Sequence, residues 1–209
     1  MTYIIFILIL LSSLTCNAVD SKQGREIQNF NSRWSFYKGD ISGGQRPDLD
    51  ISKWRNLDLP HDWSVEGPFS KNYASGTGFL PGGIGWYRKS FHVDADENGR
   101  RVYISFGGVY NNSEVWINGK YLGKRPNGYV SFQYDMTPYI NFGGENLIAV
   151  KADHSRFGDS RWYTGSGIYR DVDLIFTPQV HINQWGVFAK PGDVSEQKAS
   201  LGLEVNNLN

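Results

Sequence analysis

Apolar and polar positions alternate with a period of two in short runs along most of the chain. After residue 20, no window sustains a 3.6-residue apolar period over three turns, so the pattern predicts strands rather than helices. Tyr87, Phe91 and Val93 alternate with Arg88, Ser90 and His92, and Val102, Ile104 and Phe106 alternate with Tyr103 and Ser105. Val115 and Ile117 lead into Asn118-Gly119, a pair that tolerates positive φ and predicts a two-residue hairpin turn, with Tyr121 and Leu122 opening the return strand. Val130, Phe132 and Tyr134 form a further alternation, and the runs 147–152 and 172–176 complete the set. Turn chemistry separates them at Pro126-Asn127-Gly128, Asp135-Met136-Thr137-Pro138 and Gly143-Gly144. Many short strands between such turns predict an all-β fold, a β-sandwich of jelly-roll type with aromatic and β-branched residues on both inner faces.

A second unit is expected from about residue 179 to 209. Val180, Ile182 and Gly186-Val187-Phe188 read as one strand, Pro191-Gly192-Asp193 as a turn, and Ala199, Leu201, Leu203 and Val205 as a second strand. Two strands alone cannot bury an apolar face, so more chain is expected to follow. At the other end, the apolar run Ile4 to Leu11 is too short to span a bilayer and is followed by Cys16-Asn17-Ala18. This predicts a signal peptide over residues 1–18, cleaved before Val19, although no Lys or Arg precedes the apolar run. The alternative is a chain lipid-anchored through Cys16, for which Ser13-Leu14-Thr15-Cys16 is a poor lipobox. Both readings expect a secreted or periplasmic protein.

Composition narrows the function. The 209 residues carry 21 basic and 21 acidic side chains, which leaves no electrostatic footprint for nucleic acid. One cysteine excludes a disulfide framework and a Cys-based zinc site, and the four histidines show no metal-like spacing. Asp94 to Gly99 opens like a calcium loop, but Ser105 stands where the bidentate Glu belongs, so an acidic hairpin is expected there. No G-x-S-x-G elbow or dinucleotide loop is present, and no cofactor is expected. A glycosidase needs two carboxyl groups at defined separation. Asp62, Glu66, Asp153 and Asp159 all fall in polar loops and do not read as a complete catalytic pair.

Two loop stretches hold sugar-compatible chemistry. Pro60-His61-Asp62-Trp63 and Asp153 to Tyr163 set aromatic faces beside charged hydrogen-bonding groups. A pyranose is held by that mixture, its C–H face on an indole and its hydroxyls on carboxylate or guanidinium. Aromatics that simply close the ends of the sandwich would look the same at any one position.

Four stretches together resemble the N-terminal domain of glycoside hydrolase family 2, in particular its β-galactosidases. They are Leu59-Pro60-His61-Asp62-Trp63-Ser64, Gly83 to Phe91, Phe106-Gly107-Gly108-Val109 with Ser113 to Gly119, and Arg161-Trp162-Tyr163-Thr164-Gly165-Ser166-Gly167-Ile168-Tyr169-Arg170-Asp171-Val172. The resemblance implies a jelly-roll sugar-binding domain over about residues 25–178, followed by the opening of an immunoglobulin-like sandwich. Its partners would be a β-galactoside or other glycan and a C-terminal catalytic barrel bearing two glutamates, which this chain lacks; homo-oligomer formation stays open. By itself the chain is expected to be inactive. Several family members place an Asp before the Gly-Ile-aromatic-Arg motif, where this sequence has Arg161, with Asp159 two residues earlier. Substrate contacts are therefore expected from Arg161, Trp162, Asp159, His61 and Asp62, with Arg161 foremost through its planar fork of donors. Arg170 and Trp116 are expected to be structural, the arginine buried and paired and the tryptophan in the core. A stand-alone carbohydrate-binding module, an assembly domain, and β-glucuronidase or β-mannosidase specificity are the alternatives.

Overall fold

The structure, a computed structural model, describes residues 24–158 and 160–208. The expected signal segment and Cys16 lie outside these residues. Ten strands build the sandwich: β1 (Glu26–Asn29), β2 (Trp34–Lys38), β3 (Arg55–Leu57), β4 (Gly83–Val93), β5 (Arg101–Phe106), β6 (Ser113–Ile117), β7 (Lys120–Arg125), β8 (Phe132–Asp135), β9 (Gly144–His154) and β10 (Val172–Thr177). They form a four-stranded sheet of order β1-β10-β5-β8 and a six-stranded sheet of order β3-β2-β4-β9-β6-β7, antiparallel throughout. The expected all-β sandwich is therefore what the chain makes.

The alternating positions fill the space between the sheets. Val102, Ile104, Phe106, Val172, Leu174 and Phe176 from one sheet meet Trp34, Phe36, Tyr87, Val115, Ile117 and Val150 from the other, all nearly or fully buried. A fully buried side chain of this kind contributes about 1.5–3 kcal/mol. Asn118 and Gly119 both take positive φ, 49° and 77°, and join β6 to β7 as the two-residue turn that Asn-Gly predicts.

Three expectations need correction. Arg88 is 2% exposed although it faces away from the core. The loop between β2 and β3 covers that face: Arg88 donates to the Gly44 and Pro47 carbonyls at 3.2 and 3.4 Å and lies over Trp54. Trp116 packs on the same outer face, half-buried and stacked on Trp86 at 5.4 Å, rather than between the sheets. Asp94 to Gly99 is not a hairpin, because β4 and β5 belong to different sheets; it is a crossing built on a 3-10 turn, with Glu97 paired to Arg100 at 2.8 Å.

Beyond the sandwich, β11 (His181–Val194) and β12 (Ala199–Leu208) pair only with each other among the described residues. Pro191-Gly192-Asp193 stays inside β11, and the chain reverses instead at 195–198, where Ser195 Oγ accepts from the Lys198 and Gln197 backbone N–H groups. Val187, Ala189 and Pro191 lie opposite Val205, Leu203 and Leu201, which puts an exposed apolar face on the hairpin. The start of β11 leans on the outer face of the four-stranded sheet through a Tyr103–His181 contact at 3.2 Å and an Arg25–Gln184 hydrogen bond at 2.6 Å.

Candidate functional site

The stretches 60–82 and 154–170 meet at one end of the sandwich. Gly76 makes the approach possible, since a Cβ there would sit 2.1 Å from the Ser160 carbonyl oxygen. Between Tyr73–Thr77 and Ser155–Gly158 a cleft of about 320 Å³ opens, floored by residues 80–83 and His154.

His61 and Asp62 point inward. His61 is 8% exposed, with Nδ1 2.8 Å from the Tyr87 hydroxyl and Nε2 2.9 Å from Arg55 Nη2 and 3.2 Å from Glu66 Oε1. Arg55 Nη2 can only donate and the Glu66 carboxylate can only accept, so Nε2 sits between a donor and an acceptor while Nδ1 meets the Tyr87 hydroxyl. Burial pushes the His61 pKa down, against the opposing charge of Glu66. Burial also acts to raise the Glu66 carboxyl, but hydrogen bonds and charge from Arg55 and His61 outweigh it and hold the group below its usual value.

Asp62 works as a clamp. Its Oδ1 accepts the backbone N–H groups of Ser64 and Ser166 at 2.9 and 2.8 Å, and its Oδ2 accepts the Tyr163 hydroxyl. One carboxylate thus fixes a turn and ties it to a segment 104 residues away. Burial first, and then the Asp62 hydrogen bond and charge, push the Tyr163 phenol well up. A second tie lies beside it. Ser64 Oγ donates to the Pro81 carbonyl at 2.8 Å, so it accepts from Ser166 Oγ at 2.6 Å, which in turn accepts from His154 Nδ1 at 2.7 Å. Trp63 is fully buried and donates Nε1 to the Gly82 carbonyl at 3.1 Å.

Arg161 and Trp162 point outward on the loop that this clamp holds. Trp162 is 61% exposed, with its indole N–H donated to the Tyr129 hydroxyl at 2.8 Å and its ring face open. The exposed Arg161 guanidinium makes no hydrogen bond or ion pair among the described residues. Asp159 lies outside the described residues. The five residues expected at the site thus divide: two are inward ties, two form an outward rim, and one is not described. Sequence reasoning missed Tyr163, Ser166 and His154 as parts of the clamp; the Gly-Ser-Gly stretch around Ser166 was the available signal. Arg170 departs from expectation, since it is exposed and its described contact is the face of Tyr169 at 5.4 Å.

Comparison with known proteins agrees with this architecture. The family model described as "Glycosyl hydrolases family 2, sugar binding domain" matches residues 50–178. The chain is 46% identical over 196 residues to the β-galactosidase BoGH2A of Bacteroides ovatus, covering 93% of this chain and 23% of that protein. It is 30% identical over 208 residues to a β-glucuronidase of Formosa agariphila, covering 88% of this chain and 21% of the relative. Among solved structures, a β-glycosidase from Bacteroides vulgatus superimposes with a TM-score of 0.82 at 46% identity, over 88% of this chain and 24% of the other. The chain therefore spans about a fifth to a quarter of the length of the relatives it matches.

Proposed function

The chain belongs to glycoside hydrolase family 2 through its sugar-binding domain, and from that premise we propose that it serves a secreted β-galactosidase. In this reading a catalytic barrel supplied by the same protein cleaves terminal β-galactosides, and Arg161 and Trp162 contribute a wall of the substrate site. The observation that carries it is the 46% identity to a β-galactosidase across 93% of the chain. The rim supports it chemically: an open indole face and an exposed fork of donors without a partner among the described residues are what a pyranose needs. His61, Asp62 and Tyr163 contribute by holding the loop that presents the rim. The short apolar run at Ile4 to Leu11 supports export.

A β-glucuronidase is the second reading, favoured by the Formosa relative and by Arg161, whose exposed guanidinium would also suit a uronate carboxylate. Hydrolysis assays on the complete gene product separate the two. Turnover of p-nitrophenyl β-galactoside far above that of the β-glucuronide is the expected result. The reverse preference would establish the second reading, and no turnover of either would discard both.

A further inference from the structure

A second polar cleft, of about 440 Å³, lies away from the rim on the outer face of the four-stranded sheet. Its floor follows from strand register. Asp173 pairs with Ser105, and Ser105 with Gln133, so their side chains form one row across β10, β5 and β8 on the face opposite the core. Ser131 and the 169–171 segment close one side, and Gln184 and Trp185 of β11 the other. Its size is within the range of small-ligand sites, roughly 300–1,000 Å³.

Two charged groups of this cleft lack hydrogen-bond partners among the described residues. Arg170 has no hydrogen bond or ion pair, and the half-buried Asp173 carboxylate has no hydrogen-bond partner. A half-buried carboxylate left without a donor calls for an explanation. Trp185 is 65% exposed and sits in the left-handed region with φ of 56°, at the register shift of β11, which turns its indole out of the strand's alternation. Gly107 keeps this side open, since a Cβ there would meet the Arg170 side chain at 3.0 Å.

We propose that this cleft is a glycan-binding site separate from the rim, taking a neutral pyranose against Trp185 with its hydroxyls on Asp173, Arg170 and Ser131. The charge pattern selects the ligand. Arg170 opposes a cation, and Asp171 with Asp173 opposes an anion, whereas a sugar hydroxyl both donates and accepts and can satisfy both kinds of group. Burial, and then the charge of Asp171, hold the Asp173 carboxyl above its usual value, as expected of a carboxylate awaiting donors. A site here would let the protein hold a polymeric substrate at a point away from the bond being cleaved, raising its effective concentration there.

The test is titration of the complete protein, inactivated at a catalytic glutamate of the barrel, with lactose, β-1,4-galactotetraose and cellotetraose, followed by the NMR signals of the Trp185 indole and the Gly107 amide. At least one sugar is expected to shift both signals with a dissociation constant of about 1 mM, equivalent to roughly 4 kcal/mol. Trp185→Ala and Arg170→Ala should each weaken that binding roughly tenfold or more. Both residues are exposed, and unchanged spectra elsewhere would show that the variants fold. Trp162→Ala should leave the Trp185 response intact. The proposal is overturned if none of the three sugars shifts Trp185 at tens of millimolar, if Trp185→Ala binds as the parent does, or if only Trp162→Ala abolishes binding. Because the rim is scored by Trp162→Ala and the cleft by Trp185→Ala, failure of one leaves the other standing.

Discussion

The stretch 60–66 and the stretch 160–163 meet at the same end of the sandwich and share a composition of aromatic and charged residues, yet they use it in opposite ways. In the first, hydrogen-bonding capacity is taken up inside the protein: His61 faces Tyr87, Arg55 and Glu66, and Asp62 holds Ser64, Ser166 and Tyr163. In the second, Arg161 has no hydrogen bond or ion pair among the described residues and Trp162 leaves its ring face to solvent. Composition alone therefore does not distinguish a binding residue from a structural one. The distinction lies in whether the donors and acceptors are already satisfied by the fold.

The largest perturbation of this contrast should come from Gly167→Ala. Gly167 has φ of 110°, and a Cβ there would lie 2.2 Å from the Tyr87 hydroxyl and 3.0 Å from the Trp63 ring. Backbone strain and displacement of two buried aromatics should cost about 3–5 kcal/mol, read by urea denaturation. Next comes Asp62→Ala, which leaves two backbone N–H groups and a phenol without their acceptor. A loss of about 2–4 kcal/mol is expected, and since about 1 kcal/mol corresponds to roughly 2–4 °C in a chain of this size, the melting temperature should fall clearly. Loss of sugar turnover in the complete protein with unchanged stability would contradict the clamp and make Asp62 a direct contact.

Acid should act on the inward stretch in a smaller, graded way. The His61 pKa is depressed below its ordinary 6.5, so the stability of the neutral ring is complete above about pH 6.5 and is lost as pH falls through the lowered folded value. Glu66, also depressed, contributes stability above its ordinary 4.5 that is lost below that in the same way. Stability should therefore decline as pH falls from about 6.5 to 5, by at most about 1.4 kcal/mol per pH unit from His61, with a smaller, solvent-screened loss from Glu66 below 4.5. His61→Gln, which cannot titrate, should flatten the upper part of that decline.

Much of the sandwich was legible in the residue pattern because inward positions on β5, β6, β8 and β10 are apolar and many outward neighbours, such as Ser105, Glu114, Gln133 and Asp173, are polar. The Asn118-Gly119 turn was legible because few residues tolerate two successive positive φ values. Strands β1, β2 and β3, only three to five residues long, gave too few alternations to stand out. Burial of Arg88 and Trp86 depends on the 39–54 loop, which has no periodicity and folds over the sheet from a distance. The crossing at 94–99 misled because turn chemistry says that the chain bends and not which sheet the next strand joins. Pro191 failed as a breaker because β11 pairs on one side only, with β12, among the described residues, and an edge strand tolerates a proline. At the site, residue types marked the right end of the sandwich, but the direction each side chain takes is set by contacts such as Asp62 to Ser166, which no local pattern carries.

The smallest expected effect on stability belongs to the rim. Arg161→Ala and Trp162→Ala should each change it by less than about 0.5 kcal/mol, as exposed substitutions do, and this sets up the decisive measurement. It is kcat/KM of the complete protein for a β-galactoside with Arg161→Ala, compared with the parent at equal melting temperature. A fall of roughly tenfold, equivalent to about 1.4 kcal/mol of lost transition-state binding, is the predicted result. Kinetics indistinguishable from the parent would contradict the assignment of the outward rim to substrate.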